Sequence, residues 1–168
     1  MGVEETFVGL GLGLTRLQEA VDALRVTIVE DRPVDGNSVV VDAIGDETEE
    51  LLGHIQEARS GVEEAVKGLR SAPDLDATRR ALVLCQKQVQ TIERRYADMV
   101  SFDGVQRLLG VGKRGREWAA WANAAKRAIE DCRSPMREGS EALAVCWQEL
   151  TELLVWLART PNSKIGPP

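Results

Sequence analysis

Apolar residues recur at alternating spacings of three and four through most of the chain. Phe7, Leu10, Leu14, Leu17, Val21, Leu24 and Ile28 form a first run. Ile44, Leu51, Ile55, Ala58, Val62, Ala65 and Leu69 form a second, and Leu75, Leu82, Cys85, Val89, Ile92, Tyr96 and Met99 a third. Trp118, Trp121, Ala125, Ala128 and Cys132 start a fourth, resumed by Leu143, Cys146, Leu150, Leu153 and Leu157. Residues three and four apart share one face of an α-helix, so each run predicts a helix with a single apolar seam.

Breaks between the runs are few. The Pro/Gly/Asn cluster from Asp31 to Ser38 and the Ala72-Pro73-Asp74 tripeptide predict short turns, which make the neighbouring helices antiparallel. The first three helices would be about 25 to 33 residues long, roughly 37 to 50 Å at 1.5 Å per residue. Ser101 to Gly115 holds four glycines and reads as a longer connection, with a short helix over Val105 to Leu109. Ser134-Pro135 offers an N-cap followed by a proline at the first helical position. The spacing from Ala128 to Cys132 to Met136 slips the phase of the seam there. The expected architecture is all-α: an antiparallel four-helix bundle with a fifth helix over residues 1–159, the last helix kinked or broken at Pro135. Residues 160–168 (TPNSKIGPP) read as a linker-like tail.

Composition agrees with one helical domain. The 168 residues are 43% hydrophobic, enough for a core, but only 4% aromatic, which argues against a sandwich or barrel. No apolar run approaches the roughly 20 residues that cross a bilayer as a helix, and the N-terminus lacks the basic region of a secretory signal. Three cysteines without a C-x-x-C spacing read as reduced thiols, which places the expected setting in the cytoplasm. The net charge of −6 weighs against a dedicated nucleic-acid binder. That sum hides an asymmetry: residues 1–73 carry 15 acidic and 6 basic side chains, whereas 74–134 carry 8 acidic and 12 basic.

Catalytic and cofactor chemistry finds little footing. His54 is the only histidine and has Leu51 where a Glu-x-x-His pair of a di-iron bundle needs glutamate. Cys85, Cys132 and Cys146 lie on seam positions, where small thiols are buried as hydrophobes. Gly110-Val111-Gly112-Lys113-Arg114 is not a phosphate loop, because Arg107 and Arg114 stand where that motif needs Gly and Ser or Thr. Gly9-Leu10-Gly11-Leu12-Gly13 is not G-x-G-x-x-G and follows no strand. Ser101, Ser134 and Ser140 read as cap or turn residues. The expectation is a non-enzyme with no catalytic residue, metal or cofactor.

Two features call for more than a core. Phe7-Val8-Gly9-Leu10-Gly11-Leu12-Gly13-Leu14 is uncharged and carries three glycines, each costing a helix up to ~1 kcal/mol relative to alanine. Gly9 and Gly13 form a G-x-x-x-G pair that lets two helix backbones approach. The segment is either a first turn packed tightly inside the bundle or one that leaves it for a membrane or an oligomer. Met1-Gly2-Val3-Glu4-Glu5-Thr6 also fits the myristoylation pattern, a weak anchor by itself. The second feature is basic: Arg107, Lys113, Arg114 and Arg116, followed by Trp118 and Trp121. It is either a solvated face or a surface for an anionic partner, while heptad spacing makes the two tryptophans core residues.

These features together carry a family resemblance. FVGLGLGLTRLQEAV, DRPVDGN, ALVLCQKQVQTI, GVGKRGREWAAW and ALAVCWQELTELLVWL follow one another over residues 3–158. The order resembles the N-terminal helical bundles of the HeLo and fungal STAND-protein group and of mixed-lineage kinase domain-like pseudokinases. The resemblance implies cell-death or immune signalling by a bundle at the N-terminus of a larger protein, which oligomerises and perturbs membranes when activated. Phe7 to Leu14 would match the membrane-active first helix. Membrane-targeting members use strongly basic surfaces, and this chain departs from them in being acidic through its first two helices. The functional expectation is a signalling or protein-interaction module that binds a protein partner or itself. The alternative is a membrane-permeabilising effector acting through its first helix, and a third is a cofactor-binding bundle.

Overall fold

The computed structural model describes residues 2–34, 38–71 and 75–159, and their regular structure is entirely helical. Helix α1 spans Val3–Arg25 and runs into a five-residue π turn, Val26–Glu30, closed where Asp31 N–H donates to Val26 O (2.9 Å). Helix α2 is Val39–Ser71, α3 Leu75–Val100, α4 Phe102–Gly112, α5 Arg116–Asp131 and α6 Arg133–Arg159. The cores of the predicted turns (35–37 and 72–74) and the 160–168 tail lie outside the described residues.

The seams face inward. Every residue of the first run is at most 2% exposed, and the others follow except towards the helix ends, where Leu69, Leu75 and Ala128 are half-buried and Leu157 is 36% exposed. Helix α1 packs between α2 and α6, and α2 packs along α3. Helix α4 continues the third arm: it packs along α5, reaches α2 through Arg107 and Glu47, and brings Gly112 against Ala119 and Ala122. The molecule is thus an antiparallel four-helix bundle whose third arm is α3–α4 and whose fourth is α5–α6. The short helix expected at 105–109 extends over 102–112, so the connection to α5 shrinks to residues 113–115.

Each long arm breaks once. In the third arm Ser101 Oγ accepts Gly104 N–H (3.1 Å) and donates to Asp98 O (2.6 Å), capping α4 while closing α3. The fourth arm breaks at Cys132, three residues before the proline. Pro135 lies in the first turn of α6, where N–H groups lack intrahelical acceptors anyway, and Ser134 is exposed rather than capping. The missing proline N–H leaves the carbonyl four residues back without a donor, which is why α5 stops at Asp131. Tyr96 Oη–H donates to Ile129 O (2.8 Å) from across the bundle and satisfies the last turn of α5.

The core has two parts. One gathers Leu17 to Ile28 of the first run with the first half of α2, the end of α3, Leu108 and Val111, and the buried face of α5 from Trp118 through Ile129 on to Met136. The other gathers Phe7, Leu10 and Leu14 with the end of α2, the start of α3 and Leu143, Cys146 and Leu150 of α6. Trp118 and Trp121 are core residues, each 4% exposed, packed edge to face at 5.6 Å. Buried hydroxyls donate to backbone carbonyls: Thr48 to Ile44 O one turn back in α2 (2.9 Å), and Thr78 of α3 to Ala65 O of α2 (3.3 Å). Ser38, almost fully buried, accepts Val41 N–H (3.2 Å) at the start of α2.

Candidate interaction surface

The glycine-rich start of α1 is split between two environments. Phe7, Leu10, Gly13 and Leu14 point into the bundle and are buried. Val8 and Leu12 point outward, 42% and 55% exposed, with Gly9 exposed and Gly11 half-buried between them. Outside α1 and α2 they line a groove of about 550 Å³ with Val62 and Val66 opposite. A Cβ on Gly11 would meet Val62 Cγ1 at 3.6 Å, so this glycine brings α2 close under the groove. Arg59, Lys67 and Arg70 stand along the α2 side with Glu63. Arg59 donates to Gln18 and Arg70 to Glu4, so two of these cations also tie α2 to α1.

The G-x-x-x-G pair does not work as a unit. Gly13 meets Gly139 of α6, whose Cα would lie 3.7 Å from an added Cβ. Gly9 faces open space. Close backbone approach therefore rests on Gly13 with Gly139, a partner that lies 126 residues away and outside any local motif.

The four basic residues separate likewise. Arg107 forms a two-pronged pair with Glu47 (2.9 and 2.8 Å) that fastens α4 to α2, and this pairing raises its pKa further. The Arg114 guanidinium lies 5.5 Å from the centre of the Trp118 ring, a cation–π contact. Lys113 and Arg116 are exposed beside it. The 113–116 turn therefore presents three cations, while the fourth works inside the fold. Gly115, at φ 156° and ψ 178°, starts α5 from a conformation that other residues rarely adopt.

Chemical reactivity is muted. All three cysteines are free and buried. Burial pushes the Cys85 thiol up to about 11 and those of Cys132 and Cys146 up to about 12, so they carry no thiolate near neutrality. His54 Nδ1–H donates to Gln88 Oε1 (2.6 Å), and Gln88 Nε2 donates to Glu57 Oε2 (2.7 Å), a link between α2 and α3. Ser140 is spent on Glu93 Oε1 (2.8 Å) and Met136 O (3.1 Å). Among the described residues, no cluster of three or more His, Cys, Asp or Glu is placed to hold a metal. None of their helices is long and apolar enough to cross a membrane.

The exposed stripe of Val8 and Leu12 was legible only in part. The three-four spacing sets Phe7, Leu10 and Leu14 apart from Val8 and Leu12, but nothing in it says that α2 lies beside the outward pair to form a groove. No protein-family model, curated protein or solved structure matches the chain.

Proposed function

We propose that this chain is a non-enzymatic signalling module of the cell-death or innate-immunity type, acting in the cytoplasm by packing partner helices against its outer faces. The supporting observation is the α1–α2 groove, where Leu12 stays 55% exposed on an apolar floor between two rigid helices. Such grooves take the apolar face of another helix. Proximity labelling in cells tests this: foreign partners labelled by the wild type should be lost with Leu12→Glu. Identical partner sets from both proteins would falsify the reading.

A membrane-permeabilising role through α1 is the second reading, favoured by the same exposed Val8 and Leu12. It carries a heavy cost. Releasing α1 exposes seven buried seam residues at about 1.5–3 kcal/mol each, or about 10–20 kcal/mol in all, as much as a whole domain's stability. Permeabilisation is therefore expected only if assembly repays that cost. Dye release from anionic vesicles, with Leu12→Glu as the control, measures it; leakage that the substitution leaves unchanged removes α1 from the mechanism.

A further inference from the structure

The hairpin of α4 and α5 turns a second face outward. Phe102, Gln106 and Leu109 of α4 and its C-cap Lys113 are spaced four, three and four and are all exposed, Phe102 at 76% and Leu109 at 40%. They stand opposite the buried Gly104, Leu108 and Val111. On α5 the same spacing puts Arg116, Ala120, Asn123 and Arg127 outward, opposite the buried Trp118, Ala122, Ala125 and Ile129. Only residues 113–115 join the two helices, so they run antiparallel. A Cβ on Gly112 would lie 3.3 Å from Ala122 Cβ and 3.5 Å from Ala119 Cα, which marks close packing between them. The two outward rows therefore lie side by side, about 8–10 Å apart.

Charge on this face has one sign. From Gly104 to Ile129 the chain holds Arg107, Lys113, Arg114, Arg116, Lys126 and Arg127, against a single carboxylate, Glu117. Arg107 is spent on Glu47 and Arg114 on the Trp118 ring. Lys113, Arg116 and Arg127 form no ion pair among the described residues. Glu117 stands off the rows, lining a hollow with Asp31 and Pro33. Lys113 and Arg116 sit at the turn and Arg127 lies about 16 Å further along α5, so Leu109 falls between cations. Acid begins at the edge of the face. Arg107 meets Glu47 of α2 there, beside Asp46, Glu49 and Glu50, and Asp103 shares the Arg107 flank of α4.

We propose that the outer face of the α4–α5 hairpin binds an acidic amphipathic helix of another protein. The apolar edge of that helix covers Phe102 and Leu109, and its carboxylates meet Lys113, Arg116 and Arg127. Charge complementarity sets the sign of the partner, and width sets its kind. A helix is about 10 Å across and covers the two rows without reaching α2. An anionic bilayer extends past them on every side and meets Asp46, Glu49 and Asp103, which repel it. Residues 160–168 hold no Asp or Glu, so they lack the chemistry of the occupant. This face is separate from the α1–α2 groove and adds a second partner class to the molecule.

Fluorescence anisotropy of a fluorescein-labelled peptide, titrated with the full chain, tests the proposal. The peptide has about 18 residues, enough to form a helix, with Leu on one face and Glu on the others; a second peptide carries Lys in place of Glu. The acidic peptide is expected to bind at least about tenfold tighter than the basic one, and to weaken as salt rises. Two sets of substitutions change only exposed side chains: Phe102→Ser with Leu109→Gln, and Lys113→Gln with Arg116→Gln and Arg127→Gln. Circular dichroism should show an intact fold for both. Each set should weaken acidic-peptide binding about tenfold, and the second should also flatten its salt dependence. Equal binding of the two peptides overturns the proposal, and so does binding that either set leaves unchanged. Capture on phosphatidylserine vesicles with the acidic peptide left free overturns it in favour of a membrane. Wild-type dimers in sedimentation velocity that the same substitutions dissolve overturn it in favour of a second copy. Leu12→Glu should bind the acidic peptide like the wild type; loss of binding there would move the peptide to the α1–α2 groove and overturn the assignment to this face. The interaction-module reading is decided separately, by the partners labelled in cells.

Discussion

Glycines in this bundle have opposite roles that only their neighbours distinguish. A Cβ on Gly104 would lie 2.5 Å from Met99 O and 2.6 Å from Asp98 O, so Gly104→Ala must push the start of α4 off the end of α3. A loss of about 1–3 kcal/mol in urea denaturation is expected. Gly9 meets nothing within 4 Å on α1, and Gly9→Ala should stabilise by about 0.5–1 kcal/mol in the same measurement. Equal effects at the two sites would refute the packing described here. The titrating residues behave in concert. Burial raises the three thiols above their ordinary 9.0, and Tyr96 above 10.0. Their folded state favours the protonated form, so this stabilisation is complete below pH 9 and is lost as pH rises through about 11 to 12. Stability should change little between pH 7 and 8, as far as these groups are concerned. Above pH 9 it should fall, at up to about 1.4 kcal/mol per pH unit for each thiol ionised only in the unfolded chain. Urea midpoints across the alkaline range check this, and Cys132→Ala should make the decline shallower.

Helices were the most legible level, and their breaks the least. The alternating three-four spacing places the seam of α1, α2 and α3, because burial on one side of a helix writes itself into local sequence. Glycine content misled at 101–115. Gly104, Gly110 and Gly112 suggested a loop, yet all three sit in α4, where a Cβ added to Gly112 would lie 3.3 Å from Ala122 Cβ. Small residues there serve contact between α4 and α5, and no local pattern separates that use from flexibility. Arg107 was grouped with Lys113, Arg114 and Arg116 by sequence proximity, but its partner Glu47 lies 60 residues away. Since both side chains are about one-third exposed, the pair contributes about 1 kcal/mol or less. Glu47→Gln should loosen α4 locally. Hydrogen exchange over 102–112 should accelerate, while the remainder of the third arm, 75–100, stays protected.

At the scale of the molecule, α1 belongs to both parts of the core. Phe7, Leu10 and Leu14 complete one part, and Leu17 to Ile28 the other. Removing residues 1–14 therefore does more than delete a candidate membrane segment. The truncated chain should lose cooperative unfolding and bind a hydrophobic dye, whereas Leu12→Glu should unfold like the wild type. Leu10→Ala should cost about 2–5 kcal/mol by leaving a cavity. Thermal denaturation separates these variants and shows which of them is a fair probe of function.

The sequence by itself determined the all-α class, the antiparallel order of the arms and nearly every core position. Those follow from periodicity, which needs no knowledge of distant residues. Only the tertiary structure decided that Gly13 pairs with Gly139, that Arg107 is held by Glu47, and that Val8 and Leu12 overlook a groove facing away from the core. Each of these depends on which segment lies alongside which. That is set by the packing of whole helices, and it leaves no signature in the spacing of a single run.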